Sequence, residues 1–307
     1  MALQSRTPTA LRFTWRLVNS KSWQIVSDDA EPVAETDRRE GNRGACMPGM
    51  IEIAGRMLTD PPNLGPNDMS TVEEKQKTTC TKWINKDYPE RCASFDRAKW
   101  RTLAEQFETT PMHYCMDRFE YPNQKGQSPI ILVSYPEAQE LCEQNGKRLC
   151  SESEWTFACE GEEAMPYPYG YERDPEACVV DKQWRPFNAV AMYPRDGEAA
   201  RAEMDKLWQG VPSGSQPFCK SSFGVYDMTG NVDEWTVSVR DGERPSILKG
   251  GYWGPVRTRC RPSTRSHDES HAFYQQSLRC CSSPGAEVFV PAVSPDPASA
   301  PLPRELK

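Results

Sequence analysis

The sequence predicts an α+β domain, rich in loops and held together by disulfides. Three observations carry that expectation. Two segments open with a serine followed three residues later by a glutamate: Ser134 with Glu137, and Ser151 with Glu154. That spacing is a capping box, in which each side chain satisfies an orphan N–H at the start of a helix. Met50 to Met57 starts as an alternating apolar and polar segment and reads as a strand, with Tyr114 to Tyr121 as a second strand candidate. Finally, the 12 cysteines are even in number, dispersed, and contain no C-x-x-C pair. Zinc ribbons and redox dithiols need closely spaced pairs, so this pattern reads as disulfides formed in an oxidising compartment.

In chain order, residues 1 to about 42 read as a tail, since Ser27 to Arg43 is polar and charged with few large apolar residues. Asp60 to Asp68, DPPNLGPND, reads as a loop. Ser94 to Phe107 places Phe95, Trp100, Leu103 and Phe107 near helical spacing, with Ser94 as the expected N-cap. In the helix from Ser134 to Asn145, Ala138, Leu141 and Cys142 form the apolar face, and Gly146 stands where a helix end favours glycine. In the helix opened by Ser151, Trp155, Ala158 and Cys159 face inward. Gly161 to Pro284 is rich in Gly, Pro and aromatics and reads as loops with short strands. The domain is expected over residues 43–285, followed by a Pro/Ala-rich tail over 286–307.

The net charge of -7 and pI near 5.3 argue against a nucleic-acid partner, which would need clustered Lys and Arg. No apolar run approaches the ~18 residues of a membrane span. Arg6, Arg12, Arg16 and Lys21 punctuate the weakly apolar N-terminal stretch, so no clear signal peptide is visible. The cysteines nevertheless argue for a periplasmic or secreted location.

Several segments, in order, resemble the formylglycine-generating enzyme, or sulfatase-modifying factor, family. Cys46-Met-Pro-Gly-Met-Ile-Glu-Ile53 is similar to its opening strand, and Asp117-Arg-Phe-Glu-Tyr-Pro-Asn123 to "ID..EVTN". Val133-Ser-Tyr-Pro-Glu-Ala138 and Gly146-Lys-Arg-Leu-Cys-Ser-Glu-Ser-Glu-Trp155 match "VSW.DA" and "GKRLPTEAEWE". Tyr167-Pro-Tyr-Gly170 resembles "YPWG", and Phe223-Gly-Val-Tyr-Asp-Met-Thr-Gly-Asn-Val-Asp-Glu-Trp235 resembles "FGLYDM.GNVWEW". Gly250-Gly-Tyr-Trp253 resembles "RGGSW", and Ser277-Leu-Arg-Cys280 the closing "GFRC". The resemblance covers roughly residues 46 to 282 and implies that family's variant of the C-type-lectin-like fold.

The resemblance also implies a chemistry that this chain lacks. The family's enzymes hold copper(I) with two cysteines downstream of "RGGS", because a soft monovalent ion takes two thiolates in near-linear array. Counted without gaps from Gly251, Cys260 lands on the second of those positions. Counted back from Arg265, it lands in a core strand, and this count also fits Arg261 and Cys280. On either count the partner cysteine is missing, so copper and formylglycine formation by the known mechanism are not expected.

The cysteines then read as structural. The family's first bridge carries over as Cys142–Cys280; its second begins at Cys159, and Cys260, two residues before the family's other member and so on the same strand face, gives the expected Cys159–Cys260. Cys80 and Cys92 are close enough to close a local loop. Cys46–Cys115, Cys150–Cys281 and Cys178–Cys219 remain by elimination.

Calcium is the cofactor the resemblance implies. Asn231, the carbonyl of Val232 and Glu234 would supply the hard oxygens, while Asp233 stands where the family has a tryptophan. The family's second calcium site uses an "AN" pair, replaced here by Ala177-Cys178. Trp253, Arg257, Arg259, Arg265 and Tyr274 fall around the family's substrate groove and suit a peptide, protein or small anionic ligand. His267 and His271, with Asp268 between them, have the spacing of two metal ligands on one helix face; a solvated loop is the competing reading. The sequence therefore favours a monomeric, calcium-stabilised binding or accessory module, with a metal-dependent oxidoreductase at His267 and His271 as the alternative.

Overall fold

The computed structural model describes residues 13–18, 21–27, 45–61, 70–240 and 244–286. The chain begins with a hairpin, β1 (Phe13–Leu17) and β2 (Trp23–Ser27). β3 (Met50–Leu58) follows, then α1 (Thr71–Lys77). A second hairpin, β4 (Cys80–Asn85) and β5 (Arg91–Phe95), leads into α2 (Arg97–Ala104) and β6 (Thr109–Asp117). Next come α3 (Tyr135–Glu143), β7 (Arg148–Leu149) and α4 (Glu152–Glu160). After a long irregular stretch come α5 (Glu198–Leu207), β8 (Asp233–Val237) and β9 (Ser246–Lys249). The described chain closes with β10 (Ser263–Thr264), β11 (Gln276–Leu278) and β12 (Cys280–Ser282).

Two four-stranded sheets organise the domain, in the orders β3-β6-β12-β7 and β10-β9-β8-β11. The first is antiparallel throughout; in the second, β11 runs parallel to β8. α4 packs Trp155, Phe157 and Ala158 against Ile53, Tyr114 and Met116 of the first sheet. α3 packs Ala138 and Leu141 against Trp235, Leu248 and Leu278 of the second. This is the α+β architecture expected from the sequence.

The two capped helices form as read. Ser151 Oγ accepts from Glu154 N (3.2 Å), and Glu154 Oε2 accepts from Ser151 N (2.8 Å). Ser134 and Glu137 form the equivalent box on α3, and Gly146 takes the positive φ of 65° needed where the chain leaves that helix. The six disulfides are Cys46–Cys115, Cys80–Cys92, Cys142–Cys280, Cys150–Cys281, Cys159–Cys260 and Cys178–Cys219, the connectivity expected above. Adjacent residues of a strand face opposite sides. Cys280 therefore staples the α3 core, while its neighbour Cys281 staples the α4 core.

Other expectations need correction. The helix expected from Ser94 starts at Arg97, capped by Asp96, whose carboxylate accepts from Lys99 N (2.9 Å). Ser94 and Phe95 are drawn into β5 by pairing with β4, so tertiary contact overrides the local period. The strand expected over Tyr114 to Tyr121 runs from Thr109 to Asp117 instead. It ends where Asn123 Oδ1 takes the N–H of Phe119 (3.0 Å) and turns the chain. Residues 13–27, assigned above to the tail, include a hairpin that buries Trp23, whose backbone pairs with Ile131. α5 lies in a stretch read as loops with short strands. Its buried face, Ala200, Met204 and Leu207, has helical spacing that the surrounding glycines and prolines obscured. Most of the expected 60–68 loop, the rest of the N-terminal tail and the C-terminal tail from 287 lie outside the described residues.

Glu137 joins local and tertiary structure. Its carboxylate accepts from Ser134 N (2.9 Å) and forms a two-pronged pair with Arg195 (2.5 and 2.7 Å). Burial opposes its ionisation, but the Arg195 guanidinium and the Ser134 N–H outweigh burial and hold the carboxyl at about 2. A carboxyl lowered on folding stabilises above its unfolded value, here 4.5, and that contribution is lost as pH falls toward 2. Glu137→Gln is expected to lose about 1–3 kcal/mol at pH 7 in urea denaturation, with the deficit shrinking as pH falls from 4.5 to 2. A deficit independent of pH contradicts the assignment.

Candidate functional site

The segment that would carry copper chemistry is closed. Gly250 and Gly251 have φ of 89° and 70°, a conformation that favours glycine. They turn the chain out of β9 and into the Tyr252-Trp253 pair. Beyond it, Cys260 is fully buried and bonded to Cys159 as expected, but it lies in a bend ahead of β10 rather than in a strand, because the chain must turn there to reach Cys159 on α4. Among the described residues there is no free cysteine.

The five groove candidates do not act together. Trp253 and Tyr274 are both buried, with ring centroids 5.9 Å apart, and Tyr252 stands near both at 5.7 and 6.4 Å. Trp184 and Gln183 join them along a shallow cleft. The arginines are engaged elsewhere. Arg259 is buried against Glu73 and Gln76, each at 3.3 Å, and Arg265 pairs with Glu152 at 2.7 Å. Arg257 donates to the Ser263 carbonyl (3.2 Å) and lies 5.0 Å from the Tyr88 ring centre. An anion-binding row of arginines is therefore corrected to an aromatic cleft, because internal carboxylates and a carbonyl occupy those guanidinium groups.

His267 and His271 are stacked, 4.0 Å between ring centres, in a loop rather than on a helix. Burial holds both imidazoles below the ordinary histidine value, and for His267 the neighbouring His271 and Arg244 lower it further. His271 Nδ1 is shared with the Gln276 amide (2.8 Å), and Asp268 accepts from the backbone and hydroxyl of Ser270 (2.9 and 2.5 Å). The three side chains are thus spent on local contacts. Among the described residues, no group of three or more His, Cys, Asp or Glu side chains is arranged to hold a metal.

The calcium candidates sit in a buried polar network. Glu234 receives the Arg279 guanidinium at 2.8 and 3.1 Å and the Trp155 indole N–H at 2.7 Å. Asn231 Oδ1 accepts from Val211 N (2.9 Å), and its amide donates to Glu120 Oε2 (2.8 Å). Val232 is buried beside them. The structure adds two acids that the sequence reading passed over. Glu120 is fully buried, and its Oε1 has no hydrogen-bond partner. Asp227, whose Oδ2 accepts from Gly214 N (2.6 Å), is pushed up to about 7, first by burial and further by the nearby Glu234 charge. Burial, then Asp227 and Glu234, push Glu120 up as well. The signal was present in the sequence: both acids stand between apolar or aromatic neighbours, in Phe119-Glu-Tyr and Tyr226-Asp-Met.

An α+β domain with two capped helices, stapled through "FRC"-like and helix cysteines, defines the sulfatase-modifying-factor class. The chain belongs to the sulfatase-modifying factor enzyme 1-like domain family, which matches residues 71–282. It is 29% identical over 171 residues to the inactive C-alpha-formylglycine-generating enzyme 2 of Mus musculus, covering 53% of this chain and 51% of that protein. It is 31% identical over 111 residues to the formylglycine-generating enzyme of Mycobacterium tuberculosis, covering 36% and 33%. The chain thus spans about half the length, or less, of these relatives. Among solved structures, CarF aligns with a TM-score of 0.45 at 13% identity, over 76% of this chain and 97% of that one. Six disulfides mark an extracytoplasmic or ER-lumenal protein. No helix among the described residues is long and apolar enough to cross a membrane.

Arg279 and Glu234 are both fully buried, and removing one leaves an uncompensated charge. Arg279→Met is expected to cost about 3–5 kcal/mol in urea denaturation. Adding Glu234→Gln, which can still accept from Trp155, should restore part of that loss. Equal deficits in the single and double variants contradict this account of the pair.

Proposed function

We propose that this chain is a non-catalytic binding or accessory module on the formylglycine-generating-enzyme fold. The observation that carries the reading is the closure of every described cysteine into a disulfide, including Cys260, the one cysteine between Gly251 and Arg265. A two-coordinate copper(I) site needs two thiolates, and this segment offers none. A mouse relative is itself named as inactive, which supports a non-catalytic reading. The ligand in this reading is a peptide held at the aromatic cleft, and the protein works as an exported monomer in a periplasmic or secreted setting.

The test is direct. Mass spectrometry of the native protein should find no free thiol. Copper(I) titration should show no stoichiometric site, and no oxygen should be consumed with a cysteine-containing peptide. Stoichiometric copper together with oxygen consumption overturns the reading.

Calcium belongs to the same proposal. The donors are hard oxygens, as calcium requires. Glu120, Asp227 and Glu234 share the single Arg279, burial and mutual repulsion push Glu120 and Asp227 up, and Glu120 has an orphan oxygen. A calcium ion would be held by Asp227 and Glu120 with the Val232 carbonyl, drawing on Asn231 and Glu234 as their present partners allow. It would supply charge neutralisation to a loop-rich segment. Millimolar calcium is then expected to raise Tm relative to chelator-treated protein, and Asp227→Asn should abolish that response. A Tm indifferent to calcium rules the ion out of this network.

A further inference from the structure

The first hairpin is attached to the domain by packing and hydrogen bonds alone. β1 and β2 pair with each other and join neither four-stranded sheet. All six disulfides join residues from Cys46 onward, so no staple reaches the hairpin. It also precedes the motifs of the family resemblance, which begin at Cys46, and the family match over residues 71–282. A lone two-stranded hairpin is marginally stable in water, so this one keeps its shape only while docked.

Two tryptophans make the docking. Trp23 exchanges both backbone hydrogen bonds with Ile131 (2.8 and 3.2 Å), and its indole donates to the Arg195 carbonyl (2.5 Å). Beside it, the Gln24 amide donates to the Ser128 carbonyl (2.7 Å). Trp15 donates its indole N–H to Asp205 and sets its ring at 86° to that of Trp208, 5.9 Å away. Trp208 in turn stands 4.9 Å from Trp253. It is therefore held between a ring of the hairpin and a ring of the cleft.

The seat beneath the hairpin is apolar and aromatic. Trp15, Leu17 and Trp23 pack into the cluster that holds Ile131, Leu207, Trp253 and Tyr274. Leu207, Trp253 and Tyr274 also line the cleft, so seat and cleft share residues. With the hairpin docked, the cleft has no volume that a ligand could enter. A peptide can be held there only if something moves, and the hairpin is the piece of this cluster that lies outside the stapled chain.

We propose that the β1–β2 hairpin is a displaceable cap, which fills the seat at Ile131, Asp205 and Trp208 until an extended peptide with aromatic side chains replaces it. The hairpin itself shows what the seat accepts, namely extended backbone that presents tryptophan. The incoming strand takes over the hydrogen bonds at Ile131, as in strand addition, and an aromatic side chain takes the place of Trp15 on Trp208. The capped form is the major state, and the open form is a minor state that the ligand selects. A cap on the same chain competes at high effective concentration, so apparent affinity falls with the fraction of open molecules. The proposal rests on the reading of the chain as a peptide-binding module and adds how access to its surface is controlled.

The test uses the full chain and a labelled peptide with the sequence of residues 13–27, beside a control peptide in which both tryptophans are alanine. Saturable binding of the first peptide and not of the control is expected. Trp15→Ala in the chain releases the cap from Trp208 and should tighten binding of the labelled peptide about tenfold. Gln24→Ala, which removes a different hold from the hairpin side, should act in the same direction. Amide hydrogen exchange is the second readout. The N–H groups of Trp23 and Ile131 should exchange faster than those of β6, and about tenfold faster again in Trp15→Ala with β6 unchanged. Exchange of Trp23 and Ile131 only on global unfolding, or peptide binding that both substitutions leave unchanged or weaken, overturns the proposal. A concentration-dependent dimer with the hairpin exchanged between copies also overturns it, since the occupant is then a second chain. If the cap fails while copper and oxygen assays stay negative, the binding-module reading stands without it.

Discussion

The chain changes sheets at one residue, Arg279, and the fold depends on what that guanidinium holds. β11 ends at Leu278 in one sheet and β12 begins at Cys280 in the other. Between them, Arg279 grips Glu234 on β8, the Asp117 carbonyl at the end of β6 and the Tyr226 carbonyl. One buried cation thus fixes the relative placement of both sheets and of the loop that leads to the candidate ion site. Such a pair gives little net stability against an apolar replacement, but it penalises every arrangement that leaves either charge alone.

The disulfides complement that pin. The apolar share of the sequence is 37%, low for a chain of this length, and much of the domain is loop. Three bridges close separations of 138, 131 and 101 residues, where the chain-entropy model assigns a cross-link several kcal/mol. Two of them leave β12 from adjacent residues and reach opposite cores. A short strand buried on both faces is thereby tied to α3 on one side and to the start of α4 on the other. The same frame packs Trp253 and Tyr274 into a buried cluster with Val232, Met204 and Leu207.

Part of this was legible in the residues. Ser134, Glu137, Ser151 and Glu154 announce two helix starts because a capping box is a local hydrogen-bond exchange. The ordered motifs identified the fold, and with it the pairings of Cys142 and Cys159. The 94–107 helix was misplaced because Phe95 has helical spacing yet gains more by pairing in β5. At the site, aromatic and cationic residue types were visible, but which arginines were already paired was not. Arg259 and Glu73 are far apart in sequence, so their contact exists only once α1 is packed beside the loop after Trp253.

By itself, the sequence determined the fold class, the capped helices and the loss of the paired thiolates, because each depends on residue identity at short range or in fixed order. The tertiary structure decided where charge sits. It turned Arg259 and Arg265 inward, gathered Glu120, Asp227 and Glu234 around Arg279, and buried Asp233 beside Glu234. Those outcomes follow from burial and from partners distant in the chain, and no local pattern encodes the electrostatic surroundings they create.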